Sequence, residues 1–129
     1  MTYLLDVNCL LAAVWSTHAD HPKMDAWVGS RELATCAITE LGFLRVSTHP
    51  KAIHADMASA RQLLEDFIAK HAVRFLPCDL PALNSRATGH GAVTDAYLAD
   101  LAQSKGMKFA TLDRRLRHSA AELITERPE

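Results

Sequence analysis

No stretch of this sequence is apolar for long enough to cross a bilayer: the longest uncharged run, residues 7–19, falls short of the roughly 20 required and ends in polar residues. Nor does a basic segment precede the first apolar run, which Asp6 interrupts, so a soluble, cytoplasmic protein is expected rather than a secreted one. Cysteine is scarce. Cys9, Cys36 and Cys78 are odd in number and widely spaced, which fits neither a disulfide framework nor a CxxC zinc site and leaves small reduced core residues. The charges nearly cancel, 14 Lys+Arg against 15 Asp+Glu for a net −1, so any nucleic-acid contact has to be local rather than global. Walker A, GxGxxG and GxSxG loops are missing, as are internal repeats and linkers.

What is present is a chain of 129 residues, 49% hydrophobic, that suits one globular domain over residues 1–129. Short apolar runs predict strands at residues 3–5, 33–36, 73–76, 108–110 and, weakly, 122–125. Helical patterns lie between them at 7–15, 22–28, 38–46, 55–71, 80–86 and 94–104. Pro22 suits a first helical turn and Gly29 its end, while Lys105-Gly106 closes the last helix. Strands alternating with helices over such intervals predict an α/β fold with a parallel sheet and helices on both faces, because right-handed crossovers need a dozen or more residues.

Four acids recur where an apolar run gives way to a helical pattern: Asp6, Glu40, Asp95 and Asp113. Taken singly, each is explained as a helix cap or a first-turn acid that favours the dipole. Taken jointly, they suggest a site, since ligands of open parallel sheets bind outside the carboxyl ends of the strands. Carboxylates gathered there repel one another, and a divalent cation relieves that repulsion. All-oxygen donors suit Mg²⁺ or Mn²⁺, whereas zinc asks for Cys and His at close spacing. The seven histidines are scattered or, like His18 and His21, sit in a polar loop. The one compact basic run, Arg114-Arg115-Leu116-Arg117-His118, reads as a solvated helix face or as a phosphate contact beside Asp113.

The segments Leu4-Leu5-Asp6-Val7-Asn8, Thr39-Glu40-Leu41-Gly42-Phe43-Leu44-Arg45-Val46, Val93-Thr94-Asp95-Ala96-Tyr97-Leu98 and Ala110-Thr111-Leu112-Asp113-Arg114-Arg115-Leu116 together resemble PIN-domain ribonucleases, more narrowly the VapC-type toxins of bacterial toxin–antitoxin pairs. The resemblance runs nearly end to end. It implies a three-layer α/β/α sandwich with a parallel sheet in order 3-2-1-4-5, Mg²⁺- or Mn²⁺-dependent cleavage of RNA, a homodimer and neutralisation by a small antitoxin. It also implies that Asp6, Glu40, Asp95 and Asp113 are the catalytic, metal-holding quartet, with Asn8, Thr94 and Thr111 beside it as supporting residues. Arg114, Arg115 and Arg117 are expected to meet the RNA backbone. Two other functions compete: a Mg²⁺-dependent phosphoacceptor or phosphatase domain with Asp6 as nucleophile, and a non-catalytic binding module whose acids are only caps.

Overall fold

The computed structural model describes residues 1–125. Its sheet has five strands, β1 (Thr2–Leu5), β2 (Glu32–Cys36), β3 (Arg74–Leu76), β4 (Lys108–Thr111) and β5 (Ala121–Leu123). All neighbours are parallel, in the order β3-β2-β1-β4-β5 that the resemblance implied. The helices are α1 (Val7–Val14), α2 (His21–Val28), α3 (Ala37–Thr48), α4 (Met57–His71) and α5 (Val93–Ser104).

Strand alternation divides the core in two. Tyr3, Leu5, Leu33 and Ala110 turn to one face, where α1 to α4 cover them with Leu10, Leu11, Met24, Phe43, Leu64 and Phe67. Leu4, Ala34, Leu76 and Phe109 turn to the other, which α5 covers with Leu98, Leu101 and Ala102. Each of these leucines and phenylalanines, once fully buried, contributes about 1.5–3 kcal/mol. The amphipathic stripe of α4 is core-facing: Ala60, Leu64 and Phe67 are its buried residues.

Local chemistry sets the helix starts. The Asp6 carboxylate accepts the Cys9 N–H and caps α1. Pro22 occupies the first turn of α2, and Gly29 ends that helix at φ +40. Thr39 Oγ1 accepts the Cys36 N–H and donates to the Cys36 carbonyl, which fixes the turn that opens α3. Gly106, at φ +72, follows α5 as expected.

Three expectations need correction. Residues 80–86 are not a helix but a single 3₁₀ turn, Ala82–Asn84, because Leu83, 98% exposed, finds no core to pack on. The run after Asp113 is not helical either. There Asp113 Oδ1 accepts the Arg115 N–H and His118 Nδ1 accepts the Ala120 N–H, so side chains take backbone donors that a helix would use. Cys9 and Cys36 are buried, but Cys78 is exposed.

Candidate active site

The site forms where β1 and β4 end. Because Leu4 packs towards α5, Asp6 two residues later points to the same side, and the register that pairs Leu5 with Ala110 brings Thr111 alongside it. Thr111 Oγ1 donates to Asp6 Oδ2 at 2.7 Å, while Cys9 N–H donates to Asp6 Oδ1 at 2.6 Å. Asp6 is only 3% exposed. Burial raises its pKa above the ordinary carboxylate value, against the lowering effect of these two bonds.

Asp95 lies in the first turn of α5, close enough to Asp6 and Asp113 to feel their charges. It is half-buried, and its pKa is raised first by desolvation and then by the charges of Asp6 and Asp113. Among the described residues no donor hydrogen-bonds to its carboxylate. An uncompensated carboxylate beside two others is what a cation would relieve.

Asp113 follows β4. The Thr111 hydroxyl that holds Asp6 also accepts the Asp113 N–H at 3.0 Å, so one threonine fixes the relation of two acids. The Arg115 backbone N–H, and next its side chain, stabilise the ionised Asp113 and hold its pKa below the usual value.

Glu40 arrives from the opposite side. Ala34 faces α5, so Thr35 turns to the α1–α3 face, where its Oγ1 donates to Glu40 Oε2 at 2.8 Å. Nothing in the sequence marked Thr35 for this role. Among the described residues no three Asp, Glu, His or Cys side chains converge into a ready cage of ligands. The acids still fit Mg²⁺ or Mn²⁺: Mg²⁺ is commonly held by one or two carboxylates and keeps several waters, and Asp6 with Asp95 supplies such a pair. Asn8 and Thr94 are exposed in the first turns of α1 and α5.

Asp6 is an N-cap, and Glu40 and Asp95 are first-turn acids, so the helix-start explanation fails only for Asp113. Asp95 follows an N-cap at Ala92, Glu40 follows one at Cys36, and Asp113 opens a turn. Asp6 also makes a poor phosphoacceptor, being buried with both oxygens engaged.

A groove of about 950 Å³ runs from Asp95 and Asp113 along α5, bordered by Arg86, Arg115, Arg117 and His118. Arg115 and Arg117 therefore flank the acids. Arg86 was not singled out in the sequence, where it stands alone.

The PIN domain profile matches residues 3–122 of the chain. Ribonuclease VapC38 of Mycobacterium tuberculosis is 37% identical, over 85% of this chain and 84% of that protein. The chain belongs to the PIN-domain family, in its VapC branch. Ribonuclease VapC44 of the same species is 34% identical across 98% of this chain and 96% of its own length, and Ribonuclease VapC29 is 36% identical across 92% and 90%. Among solved structures, VapBC2 of Rickettsia felis, bound to a DNA fragment from its promoter, superposes with a TM-score of 0.59 at 14% identity, over 88% of this chain and 89% of that one. At that identity the likeness speaks for the fold. Family and fold together bear out the resemblance, including the three-layer parallel sandwich. No helix among the described residues is long and apolar enough to cross a membrane.

Proposed function

We propose that this chain is an endoribonuclease that hydrolyses RNA phosphodiester bonds, uses Mg²⁺ or Mn²⁺, and acts as a toxin held in check by a small antitoxin protein. The observation that carries the reading is Asp95: a half-buried carboxylate with no donor among the described residues, facing the charges of Asp6 and Asp113. The VapC relatives support the ribonuclease assignment. A homodimer belongs to the same reading.

When bound, the cation supplies a water of lowered pKa and a counter-charge for the phosphate. Asp6 and Asp95 would hold it, with Thr111 keeping Asp6 in one rotamer. Asp113, held by the Arg115 N–H, and Glu40, held by Thr35, would orient water beside it. Arg115 and Arg117 border the groove and meet the strand's phosphates. Attack by water needs no ribose 2′-hydroxyl, so the products carry 5′-phosphate and 3′-hydroxyl ends.

The test is cleavage of RNA by the purified chain with Mg²⁺ or Mn²⁺, followed by end-group analysis. Activity that survives Asp6→Asn unchanged, or products with 2′,3′-cyclic phosphate ends, would overturn the reading.

A further inference from the structure

The turn that carries Asp113 has no helix or strand of its own, yet it is fastened to α5 on its far side. His118 Nδ1 accepts the Ala120 N–H at 3.0 Å, which leaves Nε2 as the protonated nitrogen of the neutral ring. Nε2–H then donates to Asp100 Oδ1 at 2.7 Å. Both side chains are largely withdrawn from water, His118 at 16% exposure and Asp100 at 30%, so solvent competes weakly for the bond. Gln103 adds a second tie through Ser119 Oγ at 2.8 Å. Asp100 and Asp95 stand five residues apart on the same helix.

We infer that the Asp100–His118 bond is a positioning clasp that sets the distance between Asp95 and Asp113. The role follows from connectivity and rests on the proposed metal-dependent nuclease reading for its consequence. Asp95 is rigid because α5 is packed across the sheet. Asp113 is fixed at one end by Thr111 and Asp6, and at the other through the turn that carries Leu116 and ends in His118. If the clasp opens, residues 114–119 keep only the Gln103–Ser119 bond and the packing of Leu116, and Asp113 drifts relative to Asp95. Neither Asp100 nor His118 needs to touch metal, although both line the groove. Partners outside the ligand shell commonly change metal affinity or activity about 10–100-fold when removed.

Wild type and three single variants, Asp100→Leu, Asp100→Asn and His118→Asn, test this, with the Asp100→Leu/His118→Asn double variant beside those four. The leucine removes the acceptor, whereas asparagine at 100 keeps a carbonyl oxygen for Nε2–H. Asparagine at 118 keeps an acceptor for Ala120 but cannot reach Asp100. In Asp100→Leu and His118→Asn, the Mn²⁺ concentration that half-saturates binding, read by calorimetric titration, rises about tenfold. Combining the two changes adds little more, because they break one bond. Asp100→Asn stays close to wild type. Trypsin, which cuts after Arg114, Arg115 and Arg117, reports the freed turn by faster cleavage in the same two variants.

Unchanged Mn²⁺ binding in His118→Asn, even with a lowered melting temperature, overturns the clasp, since a purely structural pair would behave that way. Equal damage from Asp100→Asn and Asp100→Leu does so too. Should wild type take up no Mn²⁺, the metal reading of the acids fails by itself, and trypsin still decides. Equal cutting of all four proteins then overturns the clasp, and faster cutting confined to Asp100→Leu and His118→Asn upholds it.

Discussion

A methyl group on Gly42 would lie 2.5 Å from Cγ2 of Val7 and 3.1 Å from its Cγ1. Gly42 is on α3, and Val7 begins α1 directly after Asp6, so the missing side chain lets the two helices close beside the site. Alanine should improve α3 by about 1 kcal/mol through helix propensity. Overpacking a stiff β-branched neighbour costs about 1–3 kcal/mol and outweighs it. Gly42→Ala is therefore expected to lower the melting temperature, and Val7→Ala in the same chain to restore much of the loss. A more stable Gly42→Ala protein, measured by thermal denaturation, would show that the helices simply part.

Asp95→Asn should do opposite things to stability and activity. It removes a charge that Asp6 and Asp113 repel, and no described hydrogen bond is lost with it. Without metal, the variant should melt higher than wild type by a few degrees, the equivalent of about 1 kcal/mol. Its RNA cleavage should fall by about a hundredfold or more, as expected when a metal-holding charge is lost. A variant that melts lower would mean that Asp95 has a stabilising partner.

The pH dependence follows from the same two acids. Both Asp6 and Asp95 have folded-state pKa values raised above 3.8. Between 3.8 and those raised values the folded state binds more protons than the unfolded one, so their contribution to stability falls as pH rises through that window. At neutral pH the full penalty is present. Mn²⁺ that binds only the folded protein should offset it, adding about 2.7 kcal/mol at a hundred times its dissociation constant. The Mn²⁺-induced rise in melting temperature should thus be largest near neutrality and fade as pH falls towards 3.8. An equal rise in the variant with all four acids changed to amides would place the metal elsewhere.

Much of this was legible in the sequence because period and position carry it. The runs ending at Leu5 and Leu112 are too short for ordinary helices and suit buried strands, and an acid just past a parallel strand has one edge to occupy. Strand order was not legible from the runs; it came from the likeness of four motifs. Two kinds of information stayed hidden. Pairings between distant residues, such as Thr35 with Glu40 or His118 with Asp100, depend on which face a strand or turn presents, and one residue of shift would reverse them. The state of residues 114–118 was hidden because Asp113 and His118 each compete for backbone donors. A helical pattern there loses to those local bonds. The reading of the acids as caps or first-turn residues held for Asp6, Glu40 and Asp95 and failed only at Asp113, which no helix follows.

The arginines of that turn differ in what they face, and this separates their expected effects. Arg115 and Arg117 border the groove, whereas Arg114 is exposed with its carbonyl engaged by Arg117. Arg115 also pairs with Asp113, but its side chain is 92% exposed, so that contact is worth little and can be exchanged for a phosphate. With a net charge of −1 over the whole chain, attraction for RNA must be concentrated at such points. Each phosphate contact on a single strand contributes about 0.7 to the slope of log affinity against log salt. Arg115→Ala and Arg117→Ala should therefore each weaken binding and flatten that slope by roughly this amount, while Arg114→Ala serves as the control. The measurement belongs in an Asp6→Asn background, so that the RNA survives it. Equal slopes in wild type and in both groove variants would move the RNA to another face of the protein.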